Sequence, residues 1–309
     1  MARVLSPAWR AGLSPARRSD GSAAYLMAGG ALLLIAVFTL YPFGYALYTS
    51  LHTISPILPK SFVGAANYQS VVTSPYFGFA LRTTAVFALA TVPAIVVLGL
   101  LVALLLDRRF AGNGFVRVAI LLPWTIPAAI GGVMWKGMFA DSWGAINAGL
   151  YRAGLITRYV PWLTDPGLAF GATALAQVWS QFPLATIFLL AAMQAIPPEL
   201  YEAAALDGAG GLRRFTAITL PFLRPMLVVV ALFEVLVALT AFDLIFALTG
   251  GGPGTATTVL SYFIWGETFR MLSFGNGAAL AVIIAALSVV VIVGLLRLMP
   301  REALLGEEG

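Results

Sequence analysis

Six long apolar runs, separated by shorter polar segments, follow one another along the 309 residues of this chain. A helix needs about 20 residues to cross the hydrocarbon core of a bilayer, and each run is long enough. The runs are continuous and do not alternate every second residue, so they predict helices and not barrel strands. The predicted spans are Ala24–Tyr48, Leu81–Leu106, Arg117–Phe139, Leu168–Ala195, Pro225–Leu248 and Gly277–Met299.

These runs predict an all-α, polytopic membrane protein with six transmembrane helices. Residues 24–299 are the expected transmembrane domain, between an N-terminal tail, residues 1–23, and a C-terminal tail, residues 300–309. Composition agrees, because 60% of the residues are hydrophobic and only 10% are charged. The formal charge of +5 does not indicate nucleic-acid binding, because the arginines lie in short loops. The absence of cysteine excludes disulfides, thiolate metal sites and a cysteine nucleophile.

The distribution of lysine and arginine predicts the orientation. Twelve of these residues fall in the two tails and the second and fourth loops, and six fall on the opposite side. Cytoplasmic loops are enriched in positive charge. We therefore expect both termini to be cytoplasmic.

One polar segment, YEAAALDGAGGLRRFTAITLPFLRP, interrupts the apolar pattern between the fourth and fifth spans. It belongs to the predicted cytoplasmic loop, residues 196–224. Paired prolines and acidic residues favour a helix start, and Gly208 is placed to end that helix. A second helical segment is expected to continue as far as Pro221. Small residues let another backbone approach closely, so we interpret the loop as a docking element.

The same loop resembles the signature loop of binding-protein-dependent ABC importer permeases. The matching residues are Glu202, Ala203, Ala204, Asp207, Gly208, Ala209, Phe215, Ile218, Leu220 and Pro221. FDLIFALTGGGPG, Phe242–Gly254, is similar to the GGP segment of the carbohydrate branch, on its maltose-permease F-like side, and WLTDP, Trp162–Pro166, agrees with it.

This resemblance implies a type I importer permease fold in the inner membrane of a bacterium or archaeon. It implies that the loop is a coupling helix inserted into an ATP-hydrolysing subunit through Glu202, Ala203, Ala204, Asp207, Gly208 and Ala209. The implied partners are two ATP-binding subunits, a second homologous permease and an extracytoplasmic sugar-binding protein. The chain has no G-x-x-x-x-G-K-[ST] loop, so we expect no enzyme activity, bound cofactor or metal here, with ATP and Mg on the partner subunits.

Polar residues within the spans are candidates for substrate contacts, because they are costly in a membrane. Gln177, Ser180 and Gln181 share one face of a helix, and Glu234 and Asp243 lie in the fifth run. The resemblance places sugar contacts at the positions of Ser180, Gln181, Leu184 and Glu234. Trp179 lies beside that face, and a structural role is expected for Asp243. The alternative is that these groups only bond helices together.

A neutral mono-, di- or oligosaccharide is the preferred substrate. The central spans offer carboxylates and amides that accept hydroxyl protons, whereas an anion would favour arginine. Glycerol phosphate or another polyol is the alternative within the same family. An ion-coupled secondary transporter is a further alternative, although it would not need a docking loop.

Overall fold

The computed structural model describes residues 28–108 and 110–297. The two predicted tails, the outermost residues of the first and last predicted spans and Arg109 lie outside the described residues. The described chain is nearly all α-helical. Its helices are α1 Ala28–Ser50, α2 Ala66–Val72, α3 Pro75–Leu106, α4 Asn113–Thr125, α5 Ala128–Met138, α6 Ala145–Arg152, α7 Pro166–Gln194, α8 Pro198–Leu206, α9 Gly211–Thr240, α10 Asp243–Leu248, α11 Leu260–Trp265 and α12 Phe274–Leu296.

A two-stranded antiparallel ribbon is the exception to this helical fold. Strand β1, His52–Thr53, pairs with β2, Ser61–Phe62, in the loop after α1. The His52 ring hydrogen-bonds the Tyr48 carbonyl oxygen at 2.7 Å and packs against the Tyr48 ring, with 4.0 Å between centroids and a tilt of 33°. His52 is therefore a structural loop residue in this fold.

Among the residues that the structure describes, five helices, α1, α3, α7, α9 and α12, are each long and apolar enough to cross a membrane. The third predicted span is divided into α4 and α5, which are bent by 93° relative to each other. The cause lies in the sequence between them. Ile126 precedes Pro127 and is extended, with ψ 124°, because a residue before proline avoids the helical region.

The fifth span ends earlier than the sequence pattern predicts. The prediction of one helix as far as Leu248 was wrong, because α9 ends at Thr240 and Ala241 turns to an extended conformation. Asp243 then begins the separate helix α10. A Cβ on Gly132 of α5 would lie 2.8 Å from the Ala247 Cβ of α10, so the missing side chain permits this close packing.

The core of the described chain lies where α3, α7 and α9 meet. A Cβ on Gly99 of α3 would lie only 2.8 Å from the Ala185 Cβ of α7, so these two helices cross almost backbone to backbone. Ile95, Leu189 and Val230 bring one buried side chain from each helix into the same cluster. This triple contact positions α7 and α9, the two helices that flank the polar loop.

Within the described residues, the first helix, α1, packs against the other helices mainly near its C-terminal end. Thr49 and Ser50 are buried there, and this end contacts α12. Earlier apolar residues are exposed, including Leu33 and Phe38, which are 64% and 74% accessible. A continuous exposed apolar surface of this kind faces lipid or another subunit.

Candidate functional site

The polar loop begins with the short helix α8. Pro198 occupies its first turn, where the missing N–H costs nothing, and Glu199 places a carboxylate near the positive end of the helix dipole. Four of the six predicted coupling residues are exposed, namely Glu202, Ala203, Asp207 and Gly208, while Ala204 and Ala209 are half-buried. Most of the predicted coupling residues therefore lie at the surface of the described chain.

Helix α8 ends at a left-handed glycine, as the sequence predicts. Gly208 has φ +74°, a conformation that only glycine adopts without strain. The chain reverses there, so the Gly208 and Ala209 N–H groups donate to the Ala205 and Ala204 carbonyl oxygens at 3.1 and 2.9 Å. These bonds satisfy carbonyls that the end of the helix would otherwise leave open.

The second half of the loop is the first part of α9 and not a separate short helix. The helix starts at Gly211, passes through a π-helical segment, Phe215–Thr219, and continues without interruption. Pro221 does not end it, because this residue lies in the first turn of the next α-helical segment, where proline is tolerated. The second half of the polar loop and the fifth span therefore form one continuous helix, Gly211–Thr240.

A hydrogen bond joins the two halves of the loop. The Tyr201 hydroxyl of α8 lies 2.9 Å from the Thr219 hydroxyl of α9. Apolar side chains also project from the loop, because Leu206 and Leu212 are 91% and 78% exposed. The loop therefore exposes apolar as well as polar side chains, and its two halves are joined by one side-chain hydrogen bond.

The four candidate substrate residues of α7 form one stripe along the helix. Gln177 and Ser180 are buried, with the Ser180 hydroxyl donating to the Gln177 carbonyl oxygen at 3.0 Å. Gln181 and Leu184 are half-buried and lie further along the same stripe. The stripe therefore runs from the interior of the chain toward a more accessible surface.

Glu234 of α9 is almost completely buried. Its side chain is 1% exposed, and neither carboxylate oxygen has a hydrogen-bond partner. Val230 and Ala238, one turn away on either side, are also buried. A buried acid without a partner lowers stability, so such residues are retained in membrane proteins mainly for function.

The face of α9 that carries Glu234 shares core clusters with α7, but no hydrogen bond joins Glu234 to α7. Val178 of α7 shares a core cluster with Val230, and Ala174 shares one with Ala238. These α7 residues occupy the stripe next to Gln177 and Gln181, about 100° around the helix. Glu234 lies between Val230 and Ala238 on one face of α9, and its carboxylate has no hydrogen-bond partner on α7.

Two further predicted residues are placed differently from each other. Trp179 packs edge-on against Trp135 of α5, with ring centroids 5.5 Å apart, so part of its ring surface is used in packing. Asp243 is exposed at the first residue of α10. A carboxylate there favours the helix dipole, which supports the structural role predicted for it.

The glycine- and proline-rich segment after α10 is ordered by threonines that the residue pattern alone did not single out. Gly250, Gly251 and Gly254 all have positive φ. The Thr257 hydroxyl is 2.7 Å from the Thr249 hydroxyl and donates to the Gly252 carbonyl oxygen at 2.9 Å. Threonines directly flanking a glycine cluster were the available signal for this network.

An aromatic cluster next to this segment was also missed. Phe242, Phe246, Tyr262 and Trp265 pack with centroid separations of 4.9 to 6.4 Å. Phe242 and Phe246 are four residues apart and Tyr262 and Trp265 are three apart, and this spacing could have indicated the cluster. No group of three His, Asp or Glu side chains that could hold a metal occurs in residues 28–108 and 110–297.

Comparison with known proteins matches the chain to one family model, the binding-protein-dependent transport system inner membrane component, over residues 86–299. The chain is 37% identical over 281 residues to the sulfoquinovosyl glycerol transport system permease protein SmoG of Agrobacterium fabrum, covering 90% of this chain and 91% of SmoG. It is 38% identical over 260 residues to the trehalose/maltose transport system permease protein MalF of Thermococcus litoralis, covering 84% of this chain and 87% of MalF.

A solved structure has the same fold. It is a chain of a bacterial alginate ABC transporter in complex with an alginate pentasaccharide-bound periplasmic protein, with a TM-score of 0.80. The match covers 92% of this chain and 96% of the other at 21% sequence identity. The all-α permease fold is thereby confirmed.

Proposed function

Because this chain belongs to the family of binding-protein-dependent transport system inner membrane components, we propose that it is the permease subunit of an ATP-driven carbohydrate importer. The observation that carries the proposal is the exposed coupling loop at α8 together with the family match. SmoG and MalF, which are similar along most of their length, are both named as permeases for carbohydrate-containing substrates.

The proposed assembly contains this chain, a second homologous permease, two ATP-binding subunits and an extracytoplasmic sugar-binding protein. The exposed α8 surface, with Glu202, Leu206 and Asp207, is the docking site for one ATP-binding subunit. ATP and Mg bind to those subunits, and this chain supplies the path through the membrane. Both of its termini are proposed to be cytoplasmic, as the charge distribution predicts.

The proposed coupling mechanism follows from the continuity of α9. Tyr201 bonds α8 to Thr219, so a movement of the docked helix α8 is passed to α9. From Gly211 to Glu234 the helix spans roughly 35 Å at a rise of 1.5 Å per residue. A tilt imposed at the docking surface therefore moves Glu234 relative to α7 and alternates access to the polar stripe.

The proposed pocket uses Gln177, Ser180, Gln181 and Leu184 of α7 with Glu234 of α9. Carboxylate and amide oxygens accept hydrogen bonds from sugar hydroxyls, and Leu184 supplies an apolar contact. In the present conformation Glu234 is buried, so the pocket opens only when α9 moves relative to α7. The absence of arginine and lysine from these residues favours a neutral sugar over glycerol phosphate.

The test is ATP hydrolysis by the purified transporter complex, with its binding protein and a panel of sugars and glycerol phosphate. We expect a neutral sugar to stimulate hydrolysis.

Removing a neutral hydrogen-bond partner costs about 0.5–1.5 kcal/mol, and a charged one about 1.5–3 kcal/mol. Glu234→Ala should therefore reduce uptake more than Gln181→Ala, while the exposed Asp243→Asn serves as the matched control.

Both pocket variants should leave the complex assembled and the binding protein with normal sugar affinity. Uptake at the wild-type rate in both would mean that these groups only bond helices together. Stimulation by glycerol phosphate alone would contradict the choice of a neutral sugar while leaving the importer mechanism intact.

A further inference from the structure

A polar chamber lies where three helices end on the same side of the protein. It is formed between the C-terminal ends of α3 and α7 and the N-terminal end of α4, with a volume of about 460 Å³. Its lining residues are Asp107, Arg108, Phe110, Asn113, Arg117 and Gln194. Two arginines and one aspartate are among these residues, so the described lining carries an excess of positive charge.

An apolar groove of about 270 Å³ adjoins this chamber. Arg117 and Gln194 line both spaces, so the chamber and the groove meet at these two side chains. From there the groove continues between α4 and α7 along Val118, Leu121 and Ile187. Thr186 adds no polar group to it, because its hydroxyl donates to the Phe182 carbonyl oxygen of its own helix at 2.8 Å.

Arg117 is held in place but its hydrogen-bonding capacity is not used up. Its Nη2 donates to the Leu106 carbonyl oxygen at the end of α3, at 3.1 Å, whereas its Nε is buried without an acceptor. The Asn113 amide also binds the Leu106 carbonyl oxygen, at 2.9 Å. The backbone therefore fixes a guanidinium group at the mouth of an apolar groove, and its Nη1 atom is left to donate to an anion.

We propose that the chamber and groove together bind one anionic phospholipid. The headgroup phosphate occupies the chamber against Arg108 and Arg117, because guanidinium groups match phosphate oxygens in charge and geometry. One acyl chain lies along Val118, Leu121 and Ile187. The ends of membrane-spanning helices lie at the headgroup level, where basic pockets between helices bind anionic lipids. A soluble phosphate would fill the chamber but leave the groove unused.

The position of this site gives it a connection to the coupling loop. Gln194 is the last residue of α7, and α8 starts four residues later at Pro198. A lipid bound between α3, α4 and α7 would stabilise the junction between α7 and α8. Bound anionic lipid is therefore expected to favour one orientation of α8.

The experiment is native mass spectrometry of the detergent-purified transporter complex with added phosphatidylglycerol or phosphatidylcholine. We expect phosphatidylglycerol to be retained preferentially. A basic residue near an anionic lipid contributes roughly a fivefold change in affinity, so Arg108→Gln should lower retention by about that factor. Val118→Trp should lower it by filling the groove, and it is tolerable because Val118 is 64% exposed.

Arg158→Gln, at an exposed arginine in the loop between α6 and α7, is the matched control and should leave retention unchanged. Equal retention of both lipids, or no effect of the two site variants, would overturn the proposal. Displacement by soluble glycerol phosphate at similar concentration would show a phosphate site and not a lipid site. Efficient cross-linking of Val118→Cys to the second permease would show that a subunit covers the groove, which would also overturn it.

Discussion

The left-handed glycine at the end of α8 allows a sharp test of the coupling loop. In Gly208→Val, a β-branched side chain is forced into φ +74°, a conformation that costs an L-residue about 1–2 kcal/mol. A Cβ at this position would meet no heavy atom within 4 Å, so the cost comes from the backbone alone. The matched control is Gly210→Val, because Gly210 is equally open but has φ −69° and ψ 169°, which valine adopts readily.

A penalty of about 1–2 kcal/mol lowers the population of the correctly formed loop by a factor of roughly 5 to 30. We therefore expect Gly208→Val to insert into the membrane but to lose transport, by losing or uncoupling the ATP-binding subunits. The assay combines sugar uptake, co-purification of those subunits and their sugar-stimulated ATP hydrolysis. Normal uptake by Gly208→Val, or an equal loss in Gly210→Val, would refute the reasoning.

Three further perturbations test other parts of the structure. Glu234→Leu should abolish uptake but raise the melting temperature of the complex. The melting temperature should rise because removing an unpaired buried carboxyl group removes a desolvation cost of about 1–3 kcal/mol, and a lower melting temperature would contradict this. Ser142→Cys should react with an impermeant thiol reagent from outside. The position of Asn147 in the third loop predicts labelling of Asn147→Cys as well, but the structure corrects this, because Asn147 is fully buried and bonded to Val160. Gly99→Ala should destabilise the complex by about 1–3 kcal/mol through overpacking, whereas Gly171→Ala in open space should not, as thermal unfolding can measure.

The sequence predicts the spans well because a long apolar run is enough to identify a helix that can cross a membrane. It also predicts the end of α8 at Gly208, because a single residue type suits that conformation. Pro127 marks the break between α4 and α5, but the apolar run continues across it, so hydropathy does not reveal the break. The loss of helix at Ala241 carries no such local signal, since it depends on how α10 packs against α5.

The candidate pocket was predictable only in part. Helical spacing identifies the α7 stripe, because residues three and four apart share a face. Spacing within one helix does not reveal how that face is rotated relative to α9. The burial of Glu234, and the cluster that Val230 shares with Val178, follow from the contact of α3, α7 and α9, which only the three-dimensional structure provides.

The most direct test of the central claim is sugar uptake into proteoliposomes that contain the complete complex and its binding protein. The energy source is set by enclosing ATP or by imposing an ion gradient. We predict that uptake requires ATP on the side of the α8 loop and continues when ionophores collapse all ion gradients. Uptake driven by an ion gradient in the absence of ATP would contradict the proposal that this chain is the permease of an ATP-driven importer.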